Sequence, residues 1–129
     1  MTTDIKMLAW SVLLGFGYVF IAAGLGTWQR GLKWNASNRD GVPATLTGVA
    51  ARAARANINF LETFAFFAAA VLAVCLTNRN TAHTALGAEL YFWARLVYLP
   101  VYLIGIPYLR TVVWAVSIWG LLQVLEALL

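Results

Sequence analysis

Long apolar runs alternate with short polar segments along this chain, and each run has the length of a membrane crossing. The first extends from Met7 to about Trp28 and carries Gly15, Gly17, Gly24 and Gly26, small residues that let helices approach closely. The polar stretch Gln29–Pro43 follows, with a turn-like Asn38-Arg39-Asp40-Gly41. Thr45 or Thr47 then supplies a helix cap, and the second apolar run continues to about Leu76. Thr77–Thr81 makes a short turn before a third run, about Ala82–Ile104, which Pro100 is expected to kink. Gly105-Ile106-Pro107 breaks the chain, and a fourth run covers about Tyr108–Leu128. A bilayer is crossed by about 20 apolar residues in a helix, so the pattern predicts four transmembrane helices. Their short connections predict an all-α integral membrane protein, an antiparallel four-helix transmembrane bundle with residues 1–129 as a single membrane domain. The first run exceeds the apolar core of about 7–15 residues in a signal peptide, and reads as a retained helix.

One stripe interrupts the apolar pattern. Arg52, Arg55, Asn59 and Glu62 lie at offsets of 0, 3, 7 and 10, which at about 100° per residue share one narrow helical sector. Ionisable groups inside an apolar helix are costly and normally face a protein interior or a wet cavity. The third helix carries a second stripe, Tyr91, Arg95, Tyr98 and Tyr102, spaced 4, 3 and 4. Arg95, Tyr98, Tyr102 and the later Arg110 fall near the depth of Arg52–Glu62, so joining the stripes makes a pocket of cations, a carboxylate, an amide and phenols. Arginine pairs grip carboxylates through parallel hydrogen bonds, and a glutamate suits an ammonium. The matching ligand is anionic at more than one point and carries an amine, as a zwitterionic peptide does. A plainer arrangement fits the same residues. Arg55 and Glu62 would form an ion pair that fixes helix packing, Arg52 and Arg39 would set topology, and the tyrosines would be interfacial aromatics.

Composition supports the membrane assignment: 62% of residues are hydrophobic and 11% charged, against about 45–50% and about 25% in ordinary soluble domains. The net charge of +4 does not indicate nucleic acid, because the basic residues are scattered along apolar helices. Cys75 and His83 are each the sole residue of their kind, which excludes an intrachain disulfide and offers no metal site. Cys75 reads as a packing residue and His83 as a solvated residue near a helix end. Glu89 lies about 120° from the Arg95 face, and is expected in a protein interface or against lipid, with Arg79 or Lys6 as available cations. Arg30, Lys33, Arg39, Arg52 and Arg55 flank the first connection and Arg110 the third, whereas the opposite side has only Lys6 and Arg79. The positive-inside rule then places the first and third connections in the cytoplasm and both termini outside.

Arg52-x-x-Arg55-Ala56-x-x-Asn59-x-x-Glu62 resembles the signature of the MAPEG superfamily, the membrane-associated proteins of eicosanoid and glutathione metabolism. Ala94-Arg95-x-x-Tyr98-x-x-x-Tyr102 is similar to the matching motif of its third helix, and Gly105-Ile106-Pro107-Tyr108-Leu109-Arg110 looks like small bacterial members. The resemblance implies a homotrimer in a bacterial inner membrane, with glutathione as co-substrate held between neighbouring subunits near the cytoplasmic face. It implies that Arg52, Arg55, Asn59 and Glu62 bind glutathione, Glu62 taking the γ-glutamyl amine. Arg95, Tyr98 and Tyr102 would complete the site, and Arg30 or Arg110 would activate the thiol. A nearby arginine favours the reactive thiolate, and the second substrate would be a lipophilic electrophile or hydroperoxide arriving from the membrane lipid. Protein catalysis would then rest on proximity and electrostatic stabilisation. The chain departs from the family pattern at Ala51, Asn57 and Thr63, which argues against the eicosanoid reactions and leaves the fold untouched. Two functions follow: a glutathione-dependent transferase or peroxidase, or a non-catalytic binding or scaffold protein that retains the fold. A small multidrug-transporter subunit needs a first-helix carboxylate, which Met7–Trp28 lacks.

Overall fold

Thr2 starts the first helix: its hydroxyl accepts from the Ile5 backbone N–H, satisfying one of the donors that a helix start leaves open. In the computed structural model, which describes Met1–Leu129, α1 runs Thr3–Arg30 and extends beyond Met7–Trp28 at both ends. Apolar length marks only the segment suited to hydrocarbon, while capping carries the helix past it. Gly31, at φ 94°, ends α1, and the expected loop contains a short helix, α2 (Leu32–Ala36), too brief to leave a periodic signal. α3 runs Gly48–Leu76 from Thr47, as predicted, although the Thr47 side chain makes no cap hydrogen bond. Gln29 does that tethering from the end of α1, donating to the Thr47 carbonyl (2.9 Å) and accepting from its N–H (3.0 Å).

α4 runs Ala82–Ile104, within the predicted bounds, from a capping box in which Thr81 and Thr84 bond each other's backbone. His83, exposed at the start of α4, has its Nε2 3.4 Å from Glu126 Oε2. Pro100 sits inside α4 on an exposed face. Gly105, left-handed at φ 89°, closes α4, and α5 (Pro107–Glu126) begins on a proline, where the missing N–H would have no helical partner.

Contacts along the helices give an up-down-up-down bundle. Thr2 meets Cys75 and Gln29 meets Thr47, so α1 and α3 are antiparallel. Phe67 stacks on Tyr91 while Arg55 reaches Tyr102, which sets α3 against α4. α4 and α5 cross where both backbones are bare. A Cβ built on Gly87 would lie 2.6 Å from the Gly120 carbonyl oxygen, and one on Gly120 would lie 2.5 Å from that of Gly87. α3 and α4 each touch both remaining long helices, whereas α1 and α5 do not meet, so α3 and α4 form the short diagonal of the bundle. Two core clusters sit on that diagonal: Phe67, Val71, Val74, Tyr91 and Val124 toward the Thr77–Thr81 end, and Tyr18, Ala56, Phe60, Tyr98 and Leu99 toward the other.

α1, α3 and α5 are long and apolar enough to cross a membrane. α4 has 23 residues, about 34 Å of helix, but carries Glu89 and Arg95 and packs along the other three. The outward faces hold Trp10, Phe16, Phe20, Phe66, Trp93 and Trp119, all more than half exposed, a surface suited to lipid and not to water. The protein is an all-helical integral membrane bundle.

Candidate functional site

The two polar stripes meet, but they divide into a sealed network and an open cleft. Arg95 is completely buried. Its Nη1 donates to Asn59 Oδ1 (2.7 Å) and its Nη2 to Thr63 Oγ1 (2.8 Å). The guanidinium carbon lies 5.0 Å from the Tyr98 ring centroid and 5.8 Å from that of Tyr91. Thr63 Oγ1 is also 3.2 Å from the Tyr91 hydroxyl, and Tyr18 on α1 donates to the Arg95 carbonyl at 2.6 Å. No carboxylate pairs with Arg95. Two neutral oxygens and two aromatic faces solvate the cation in place of a counter-charge. Thr63, Tyr18 and Tyr91 hold this network, and only Tyr91 stood out in the sequence pattern. A threonine within an apolar run gives no periodic sign that a buried arginine will use it.

The second group opens at the end of the bundle where α4 turns into α5. Arg52, Arg55, Tyr102 and Arg110 line a cleft of about 260 Å³ together with Gly105, Ile106 and Pro107. Arg52 Nε donates to the Leu103 carbonyl (3.0 Å) and Arg55 Nε to the Tyr102 hydroxyl (3.1 Å). The Tyr102 ring also carries Arg110 at 4.7 Å and Arg55 at 5.9 Å. The terminal guanidinium nitrogens of Arg52 and Arg55 bond no protein acceptor, so the cleft presents three cations and no carboxylate. The left-handed turn at Gly105, φ 89°, packs directly against the Arg52 guanidinium: a Cβ there would sit 3.6 Å from Arg52 Nε, an ordinary contact. Tyr98 and Tyr102, edge-on at 5.6 Å, connect the buried network to the cleft.

Glu62 belongs to neither group. It lies exposed on the outer face of α3, unpaired, and the Arg55–Glu62 ion pair does not form. The residues stand seven positions apart, about 10 Å along the helix axis, too far for direct contact. Arg30 also lies apart. Its Nε donates to the Ala44 carbonyl (2.8 Å), and it lines a separate recess of about 190 Å³ with Trp34, Asn35 and Arg39. Of the sequence-predicted residues, the fold thus brings Arg52, Arg55, Tyr102 and Arg110 into one cleft and Asn59, Arg95 and Tyr98 into the adjoining core.

Antiparallel membrane helices with an arginine-rich stripe on one and an Arg-x-x-Tyr-x-x-x-Tyr face on the next define a helical membrane protein with an arginine-lined cleft. The chain matches the MAPEG family over residues 7–128 and belongs to that family. No curated protein and no solved structure matches it. The family comprises membrane proteins of glutathione-related transferase and peroxidase type that generally use glutathione.

Proposed function

We propose that this protein is a glutathione-dependent membrane transferase or peroxidase that acts on a lipophilic electrophile or hydroperoxide. The observation that carries the reading is the cleft in which Arg55 and Arg110 converge on Tyr102 beside Arg52, with no carboxylate among them. Such a donor set calls for a ligand with more than one negative charge. Glu62, unpaired on the same helical sector as Arg55, stands about 10 Å away along the axis. An extended tripeptide spans about that length, so the ligand's glycine carboxylate and its thiolate would face the arginines and its γ-glutamyl ammonium Glu62. Asn59 lies between them on the stripe, and Arg95, Tyr98 and Tyr102 stiffen the wall. Because Glu62 faces away from its own bundle, a neighbouring copy would close the site, in keeping with a homotrimer.

Arg110 is the better placed arginine to hold the sulfur as thiolate, since it shares the cleft with the binding residues; a cation beside a thiol favours the anion and raises its reactivity. Arg30 would act only from a neighbouring copy. The test is the melting temperature of detergent-purified protein across a glutathione titration, with Glu62→Ala as comparison. At 100 times its dissociation constant a ligand of the folded state adds about 2.7 kcal/mol. A saturable rise that Glu62→Ala abolishes is expected. Turnover with an electrophile is expected to collapse in Arg110→Ala and to survive in Arg30→Ala. No shift at millimolar glutathione would favour a scaffold, and loss of turnover in Arg30→Ala alone would move the thiolate to Arg30.

A further inference from the structure

Glu89 has no part in the cleft. It lies seven residues beyond the first residue of α4, about 10 Å along that helix, which packs between membrane-length helices. Its side chain is exposed on the outer face and makes neither hydrogen bond nor ion pair. The cations toward that end of the bundle leave it uncompensated. Arg79 donates to the Ala127 carbonyl (3.3 Å), His83 sits against Glu126, and Lys6 forms no ion pair. Helical side chains lean toward the helix start, but a glutamate is too short to climb two turns. A carboxylate so placed is costly unless a positive charge comes to it.

From Leu90, the residue after Glu89, onward, α4 and α5 leave an open groove of about 270 Å³ lined by Leu90, Trp93, Ala94, Val97, Val113 and Val116, without one polar side chain; Glu89 stands outside it. Trp93 stands one turn from Glu89 on the same face, about 6 Å away. Its ring is braced edge-on by Phe92 at 5.1 Å and stays 56% exposed. Indole is the strongest aromatic partner for a cation. An acyl chain would fill the groove and leave Glu89 without a partner, and a small ammonium ion would satisfy Glu89 and leave the groove empty. A molecule that does both has a positive charge fused to an apolar body.

We propose that the α4–α5 groove is a binding site for a lipophilic organic cation, its charge held by Glu89 and Trp93 and its apolar body by the groove walls. The site is separate from the arginine cleft and independent of the glutathione reading.

The probe is tetraphenylphosphonium, titrated calorimetrically into the detergent-purified protein. Glu89→Gln is expected to weaken binding at least about tenfold, about 1.4 kcal/mol, while its melting temperature and its response to glutathione stay those of the wild type. A measurement on the unaltered protein runs in parallel: a hydrophobic carbodiimide is expected to modify Glu89, read by mass spectrometry of the peptide, and saturating phosphonium is expected to slow that modification about tenfold, following the same occupancy. Equal binding by wild type and Glu89→Gln overturns the proposal, as does modification indifferent to the cation. A Glu89 that never reacts would be covered by a second copy, which also overturns it.

Discussion

At the scale of single residues, Arg95 shows how a bundle holds a charge it cannot pair. Asn59, Thr63 and the Tyr91 and Tyr98 rings surround it, so each neutral group contributes to keeping a guanidinium in the core. Removing one leaves a charged donor unsatisfied in a low-dielectric interior, which costs about 1–3 kcal/mol or more. Thr63→Val keeps the side chain's shape and deletes the acceptor for Arg95 Nη2. It is expected to destabilise the protein by about 2 kcal/mol, measured as a lower midpoint in a detergent-denaturation titration. A midpoint equal to the wild type would mean that Thr63 contributes nothing to holding the cation. The position also explains a departure from the family pattern visible in the sequence: Thr63 faces the core and serves Arg95, and does not line the cleft.

At the scale of helices, the Gly87–Gly120 crossing fixes how α4 lies on α5, and through α4 how Arg95 and Tyr102 meet α3. Methyl groups at either glycine would meet backbone, which cannot step aside as a side-chain tip can. Gly120→Ala is expected to lower stability by at least about 1–3 kcal/mol, the usual cost of overpacking. Gly24→Ala, whose added methyl meets nothing within 4 Å, is expected to be neutral or to gain up to about 1 kcal/mol from the better helix former. Thermal melts of the two variants test the crossing directly, and equal melting temperatures would count against it. The sequence drew attention to Gly15, Gly17, Gly24 and Gly26 on α1 instead. Among these only Gly15 is close-packed: a Cβ there would sit 3.1 Å from the Phe60 ring. Glycine spacing within one helix does not say which neighbour it will meet.

At the scale of the whole molecule, the basic residues gather where α1 meets α3 and where α4 turns into α5, which puts the arginine cleft on the side expected to face the cytoplasm. In a Cys75→Ala background, a cysteine at Ser37 is expected to resist an impermeant thiol reagent in intact cells, and one at Asn80 to react. The reverse labelling would turn the protein over and place the cleft outside.

Much of this was legible in the chain itself. The four long helices, their order, their antiparallel course and the family follow from apolar run length, caps and two spaced motifs, because the bilayer imposes helix on every crossing segment and short connections force neighbours together. Which member of a motif turns inward was decided only by packing. A helical stripe is a sector of finite width, and the neighbour's position splits it: Asn59 falls to the core with Arg95, Arg55 to the cleft with Tyr102, and Glu62 to the outer face. The service of Thr63 to Arg95, the separation of Arg30 from Arg110 and the isolation of Glu89 arise from side chains far apart in sequence. Spacing along one helix holds no record of them, since each depends on what the adjoining helix leaves uncovered.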